Sequence, residues 1–252
     1  MTLRTQQTIH QAHHQLRSKY SIMSYVGINN DALNTISQHI INYSPHPNQT
    51  HIIAVTKNFT YLSIIDAVRN NIACIGENQV QEFEQKNAHL SDQQFESHLI
   101  GHLQSNKLNK ALTLFDVIQT VDSFRLAYKM NERLKLLNKK QSIYLQLNIG
   151  NDLNKHGFSK VEILKEAEKI TKLSNLHLLG LMTILPYLEN VKDTQKLYAH
   201  TRKTQQKIKQ TINPSCVKLS MGMSRDYIYA LKEGATHIRI GTALYGSRST
   251  TL

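Results

Sequence analysis

The chain has 252 residues, of which 40% are hydrophobic and 19% charged, and these proportions exclude an intrinsically disordered protein. No stretch approaches the roughly 20 apolar residues that span a bilayer, and the first twenty residues lack the apolar core of a secretory signal. We therefore expect a cytoplasmic protein without membrane contact.

The formal net charge of +12 is the unusual feature of the composition, because strongly basic chains can bind polyanions. The lysines and arginines are spread over several helix-like segments, and no aromatic-interleaved RNA motif accompanies them. We favour a solvated basic surface over a nucleic-acid partner, which stays as an alternative. Cys74 and Cys216 are isolated in apolar runs and are interpreted as buried apolar side chains rather than a disulfide or metal ligands.

Eight apolar runs of strand length alternate with segments of helical periodicity. This alternation predicts repeated βα units and a single (β/α)8 TIM barrel, with an open doubly wound sheet as the alternative. An extra N-terminal helix from about Thr8 to Ile41 is expected to pack outside. No composition shift marks a boundary, so we predict one domain over 1–252, with 1–50 as a helical extension and 51–248 as the barrel. The predicted strands cover 51–58, 72–78, 97–103, 117–123, 142–149, 177–184, 217–222 and 237–244.

Polar residues follow these strands at their carboxyl ends, where the chemistry of such barrels is located. Lys57 is the most informative, because a lysine that is desolvated at a strand end can act as an amine nucleophile in Schiff-base chemistry. A solvated lysine is the alternative interpretation. The other strand-end residues are Asn78, His102, Asp122, Asn148, Thr183, Ser220 and Gly241.

Two turns near the C-terminus, LSMGMS (219–224) and RIGTALYG (239–246), are candidates for phosphate binding through backbone amides. Arg239 would then face the group that carries the phosphate. Glycines that only allow tight strand exits are the alternative. Ser224 is interpreted as the cap of a helix beginning near Arg225.

A metal site is not predicted. His98 and His102 lie four residues apart, but no third histidine, cysteine or carboxylate follows at ligand spacing. The phosphate-binding loop of nucleotide enzymes, the dinucleotide fingerprint and the nucleophile elbow of serine hydrolases are all absent from the sequence.

The segments AVTKNF, GENQVQEF, HLIGHLQSNK, TVDS, LNIGNDLNKHGF, GLMTI and LSMGMSRDY through RIGTALYG together resemble the YggS/PROSC family of pyridoxal 5'-phosphate homeostasis proteins. The match runs in order from about Ile52 to Gly246. The resemblance implies a barrel similar to the N-terminal domain of alanine racemase, with the cofactor held as a Schiff base on Lys57. It implies that the cofactor is also lined by Asn78, Met182, Thr183, Ser220, Met221, Arg239, Gly241 and Thr242.

The resemblance also bears on activity. An arginine against the pyridine nitrogen leaves that nitrogen unprotonated, and the chain ends soon after Gly246, before any second domain of the racemase type. We therefore expect a carrier of pyridoxal phosphate in vitamin B6 homeostasis, with no catalytic residues and no metal. Pyridoxal-phosphate-dependent apoenzymes are candidate recipients, and the missing domain favours a monomer. A small fold-type III enzyme, such as an amino-acid racemase, is the alternative.

Overall fold

The computed structural model describes residues 27–91, 93–150, 152, 156–186 and 188–246. Its eight strands pair in parallel in sequence order, and the last pairs with the first, so that the sheet closes. The predicted (β/α)8 barrel is confirmed, and the open doubly wound sheet is excluded. The strands are β1 (His51–Val55), β2 (Cys74–Glu77), β3 (Glu96–Leu99), β4 (Val117–Val121), β5 (Gln141–Gln146), β6 (Leu176–Met182), β7 (Lys218–Met223) and β8 (His237–Ile240).

Helices follow the strands and form the outer layer, where each buries one apolar face against the sheet. Ile163, Ala167 and Ile170, for example, are the buried positions of one helix and repeat at helical spacing. The helices are α1 (Asn30–Tyr43), α2 (Tyr61–Arg69), α3 (Val80–Asn87), α4 (Leu108–Leu114), α5 (Phe124–Leu136), α6 (Ile163–Ile170), α7 (Val191–Thr211), α8 (Tyr227–Lys232) and α9 (Thr242–Tyr245). Short 3-10 turns lie at Pro47–Gln49 and Ser105–Lys107.

The N-terminal helix differs from its prediction. Residues 27–29 are not helical, and α1 begins at Asn30 because the Asn29 side chain accepts a hydrogen bond from the Ala32 amide at 3.0 Å. An N-cap asparagine of this kind starts a helix by satisfying one of its unpaired amides. A single helix from Thr8 to Ile41 is therefore wrong, while the part of that prediction before residue 27 lies outside the described residues.

Helix α1 completes the outer layer next to α8 and the short α9, in the place where a helix after β8 would pack. The His39 Nδ1 atom lies 2.7 Å from the Tyr227 hydroxyl. The Asn29 amide donates to the Leu244 carbonyl at 2.9 Å, and the Ile28 amide donates to the Asp66 carboxylate at 2.6 Å. The first and last described elements thus hold each other in place.

The main core lies between strands and helices, while the barrel interior has its own small cluster of Val117, Tyr144 and Met182. The amino end of the interior is rich in titratable groups. Burial lowers the pKa of His237 and raises the pKa of the Cys74 thiol to about 12. Both cysteines are buried and free, as predicted. Among the described residues, no helix combines the length and the hydropathy that crossing a bilayer requires.

Candidate functional site

The carboxyl ends of β1 and β8 bring Lys57 near the last predicted phosphate turn. These strands are neighbours in register, with Ala54 opposite Ile240, so Lys57 and Thr242 follow the paired ends by a few residues. Ala54 belongs to the outer core, which places the alternating Ile53 and Val55 on the interior side. Lys57 lies in the turn that follows β1 and is half-buried.

A buried charge cluster holds the residue before Lys57. The Thr56 hydroxyl donates to Glu77 Oε1 at 2.6 Å, and the Lys86 ammonium lies 2.6 Å from the same oxygen. Lys86 also donates to the Thr56 carbonyl at 2.8 Å and to Glu82 Oε1 at 2.7 Å. Glu77 is fully buried and Lys86 is only 3% exposed. Both the side chain and the backbone of Thr56 are therefore fixed by this cluster.

The same cluster holds the residue after Lys57. The Asn58 amide donates to Glu82 Oε1 at 2.5 Å, and Asn58 has a positive φ of 65°, which asparagine tolerates better than most residues. Glu77 and Glu82 share one lysine, and burial together with this pairing of two carboxylates raises the pKa of Glu77 to about 7. The backbone on both sides of Lys57 is thus pinned by Glu77, Glu82 and Lys86, which we call the clamp.

Arg239 lies inside the barrel with 3% of its surface exposed. Its NH1 donates to the Ser220 hydroxyl at 2.9 Å, and its NH2 donates to the Thr183 carbonyl at 2.8 Å. Burial lowers the pKa of Arg239 from its usual value. In the described part of the chain no carboxylate forms an ion pair with it, so its guanidinium retains donors for an additional acceptor.

Ser220 begins a chain of buried hydrogen bonds through the barrel. Its hydroxyl donates to Gln119 Oε1 at 2.6 Å, and the Gln119 amide nitrogen lies 2.9 Å from His98 Nδ1. The other ring nitrogen of His98 lies 2.7 Å from Glu96 Oε1 and lowers the pKa of that carboxyl. Each group in this series donates to the next one, from Arg239 through Ser220 and Gln119 to His98. Arg239 is therefore oriented by side chains that extend to the amino end of the barrel.

The two predicted phosphate turns lie against each other, since the Ala243 amide donates to the Ser224 hydroxyl at 3.2 Å. The assignment of Ser224 as a helix cap is wrong: α8 begins at Tyr227, and the preceding Asp226 accepts from the Met223 amide at 2.6 Å. Among the described residues, no acceptor receives the amides of Ser224 and Thr242.

Gly222 is required by packing as well as by conformation. Its φ is +91°, and a side-chain Cβ there would lie 2.6 Å from the Ala230 Cβ. Gly241 has a φ of −117°, and an added Cβ would approach Val55 at 3.4 Å. A glycine at position 241 is therefore favoured by the close contact between β8 and β1 and not by a left-handed conformation. The absence of a side chain also lets an anion come close to the backbone at this position.

The remaining predicted site residues are placed differently from one another. Met182 packs in the interior cluster, and the Thr183 hydroxyl donates to the Leu147 carbonyl at 2.8 Å. Met221 packs in the outer core. The side chains of Thr183 and Met221 are thus engaged elsewhere, and these two residues can offer only their backbone at the carboxyl end of the barrel, which we call the mouth. Asn78 lines a groove of about 790 Å³ that also includes Asn58.

Sequence reasoning missed three features of this region. No site role was predicted for Glu77 and Glu82, which lie in the segment GENQVQEF, although they form the clamp with Lys86, four residues after Glu82. Gln119 lies in the middle of a strand and gave no signal. His102, Asp122 and His156 come from three separate loops and meet at the mouth, which spacing along the chain does not reveal.

Most of the chain is similar in sequence to a known protein family. Residues 28–249 match the family model described as alanine racemase, N-terminal domain. A pyridoxal phosphate homeostasis protein of Aquifex aeolicus is 38% identical over 173 residues, covering 69% of this chain and 76% of the relative. A protein of the same name from Synechocystis is 36% identical over 203 residues, covering 80% of this chain and 93% of the relative.

Solved structures of related proteins have the same fold as this chain. PipY of Synechococcus elongatus, determined with pyridoxal phosphate bound, is 35% identical with a TM-score of 0.74, covering 84% of this chain and all of PipY. Alanine racemase of Clostridium difficile has a TM-score of 0.70 at 17% identity, covering 90% of this chain and 62% of the racemase. The likeness to the racemase shows a common fold alone.

Proposed function

Because the chain belongs to the family of pyridoxal phosphate homeostasis proteins, we propose that it binds pyridoxal 5'-phosphate and carries it as a Schiff base on Lys57. The proposed role is to buffer and deliver vitamin B6 in the cytoplasm without committed amino-acid chemistry. The proposal is supported above all by the bonds of Thr56 and Asn58 to Glu77 and Glu82, which hold the residues on both sides of Lys57 at the carboxyl end of β1.

The covalent step needs an accessible amine at a fixed position. The Lys57 amine would condense with the aldehyde of the cofactor, forming a carbon–nitrogen double bond and releasing water. The clamp fixes the backbone of Thr56 and Asn58, so little conformational freedom remains to be lost when this bond forms. Lys57 is half-buried, so part of the residue faces solvent at the end of β1.

The residues opposite the amine fit the rest of the cofactor. A guanidinium always keeps its proton and can only donate, so it can hydrogen-bond an unprotonated heteroaromatic nitrogen, and Arg239 retains donors for such an acceptor. The amides of Ser224 and Thr242 have no acceptor in the described structure and suit a phosphate. Asn78, Met182, Thr183, Ser220, Met221 and Gly241 complete the proposed lining, with Thr183 and Met221 acting through their backbone.

A carrier role is favoured over catalysis. When bound, pyridoxal phosphate supplies an electron sink whose strength depends on a protonated ring nitrogen. Arg239 cannot give up its proton and would hold that nitrogen in the unprotonated form. The related proteins from Aquifex and Synechocystis are named for homeostasis rather than for a reaction. Apoenzymes that require the cofactor are the proposed recipients, and the proposed state is a monomer.

Borohydride trapping tests the proposal. Protein incubated with pyridoxal phosphate should show the absorbance of a Schiff base. Reduction followed by peptide mapping should then place the pyridoxyl group on Lys57. Lys57→Ala should lose both signals, while Lys107→Ala, which removes a lysine from the neighbouring groove, should keep them. Label on other lysines, or none, would refute the proposal. Solvent deuterium entering the Cα of an amino acid would instead support the racemase-type alternative.

A further inference from the structure

We propose that His102, Asp122 and His156 form a binding site for a divalent transition-metal ion, with Zn²⁺ as the representative case. The three residues follow β3, β4 and β5 and lie at the mouth of the barrel. This site is separate from the proposed role of Lys57 and does not depend on it.

The distances between the donor atoms suit one shared ion. The Nδ1 atoms of His102 and His156 lie 3.0 Å and 3.7 Å from the same oxygen, Asp122 Oδ2. All three donor atoms lie within 4.8 Å of one another. Ligands at about 2.0–2.2 Å from a zinc ion are separated by roughly 3.0–3.5 Å at tetrahedral or octahedral angles. The three donor atoms are therefore close enough to reach one metal after a small contraction and a turn of at least one ring.

Metal binding would also change the orientation of the imidazole rings. They stack with centroids 3.7 Å apart and an interplanar angle of 11°. Because a nitrogen lone pair lies in the plane of its ring, at least one ring must turn about its side-chain bonds before both Nδ1 atoms bind one ion. Two imidazoles and one carboxylate are the ligand set that zinc, nickel and iron(II) accept with positions left open. The His102 side chain is 41% exposed and that of His156 is 58% exposed, so water or another ligand can reach those open positions.

Neighbouring groups hold the carboxylate and one histidine before any metal arrives. The Ser123 hydroxyl donates to the other Asp122 oxygen at 3.2 Å, which leaves Oδ2 facing the histidines. The Thr120 hydroxyl donates to the Gly101 carbonyl at 2.7 Å and fixes the loop that carries His102. Second contacts of this kind orient metal ligands and raise affinity.

His156 is held through its backbone. Its carbonyl accepts from the Gln146 side chain at 2.9 Å, and the Phe158 amide donates to the Gln146 carbonyl at 2.8 Å. Phe158 also forms a parallel bridge with Leu147 at the end of β5. The chain entering the site is thus an extension of the sheet.

A second group of possible ligands, Cys74, Glu96 and His237, lies at the opposite end of the barrel. Burial raises the pKa of its thiol to about 12, whereas a metal requires the thiolate. The Lys218 ammonium also acts electrostatically on Cys74 and His237 and would repel a cation. The mouth cluster is therefore the better site.

The test is a titration of the untagged full chain with Zn²⁺ by calorimetry, followed by the visible absorption of Co²⁺. Three histidines, His10, His13 and His14, lie outside the described residues and could bind metal themselves, so they are first replaced together by alanine. In this background we expect one bound equivalent. His102→Ala and His156→Ala should each lose it, and Asp122→Asn should weaken it.

Two variants serve as matched controls: His200→Ala removes an exposed histidine from α7, and Cys74→Ser disrupts the second group. Both should keep the equivalent, and circular dichroism should show that all variants are folded. Retention of the equivalent in both His102→Ala and His156→Ala, its loss in Cys74→Ser, or the absence of any stoichiometric binding in the background would overturn the proposal.

Discussion

The two sides of the proposed cofactor site satisfy their buried charges in opposite ways. Beside Lys57, the Lys86 ammonium contacts two carboxylates and a carbonyl. Beside the phosphate turns, Arg239 is equally buried, but within the described residues its hydrogen bonds go to one hydroxyl and one carbonyl. The first side thus pairs its buried cation fully, as the proposed positioning of Lys57 requires, whereas the second side keeps donors that the proposed ligand would use.

The largest effect is expected from breaking the complete side. Lys86→Met would leave Glu77 and Glu82 buried without their cation, and removal of one partner from a buried ion pair costs about 3–5 kcal/mol of the free energy of unfolding. Urea denaturation measures this loss. Lys110→Met, which removes an exposed pair with Glu84 at 2.7 Å, should cost less than about 1 kcal/mol. Equal losses in the two variants would contradict the comparison.

The clamp should also give stability a pH dependence. Burial raises the pKa of Glu77 from its usual value of 4.5 to about 7 in the folded chain, so the folded state binds this proton more tightly than the unfolded state. The free energy of unfolding contributed by Glu77 is then largest below about pH 4.5 and is lost as the pH rises towards 7. The slope is at most about 1.4 kcal/mol per pH unit.

Glu77→Gln removes this ionisation and should flatten the pH profile of stability over the same window, as measured by urea denaturation at a series of pH values. A profile that keeps its slope in the variant would assign the effect to another group.

The smallest effect on stability is expected on the incomplete side. Arg239→Met removes a buried charge that has no carboxylate partner, so the free energy of unfolding of the cofactor-free protein should change by less than about 1 kcal/mol. Affinity for pyridoxal phosphate should nevertheless fall about tenfold or more, because a hydrogen bond to a charged group contributes about 1.5–3 kcal/mol. Equilibrium absorbance titration measures the affinity.

Arg202→Met is the matched control, since Arg202 pairs with Glu233 at 3.0 Å on the outer helices. It should leave the affinity unchanged. An Arg239 variant that binds the cofactor normally would remove Arg239 from the ligand site.

The order of elements could be predicted from the sequence because parallel strands buried on both faces appear as apolar runs, such as VIQTV in β4. The residues at which the strands end could not be predicted in the same way. The run HIIAVTKN was assigned to a strand through Asn58, but β1 ends at Val55, because Thr56 and Asn58 bond to the clamp. Polar residues that follow a strand take their conformation from tertiary contacts, which a local pattern does not contain.

The candidate site could also be predicted only in part. Lys57 and Arg239 were found because each is a cation within or next to an apolar run, which is unusual. Glu82 and Lys86 were missed because a pair spaced four apart on a helix normally indicates a solvated face. Their burial depends on Glu77 at the end of β2, and this relation appears only when α3 packs against β2 and the end of β1.

The placement of α1 beside the last helices has a consequence for the order of events on the ribosome. Pairing of β1 with β8 closes the sheet, and the Asn29–Leu244 and Ile28–Asp66 contacts hold the segment before α1 against α9 and α2. A nascent chain presents Lys57 before Arg239 leaves the ribosome. The proposed two-sided site therefore forms only after β8 has been synthesised and has paired with β1.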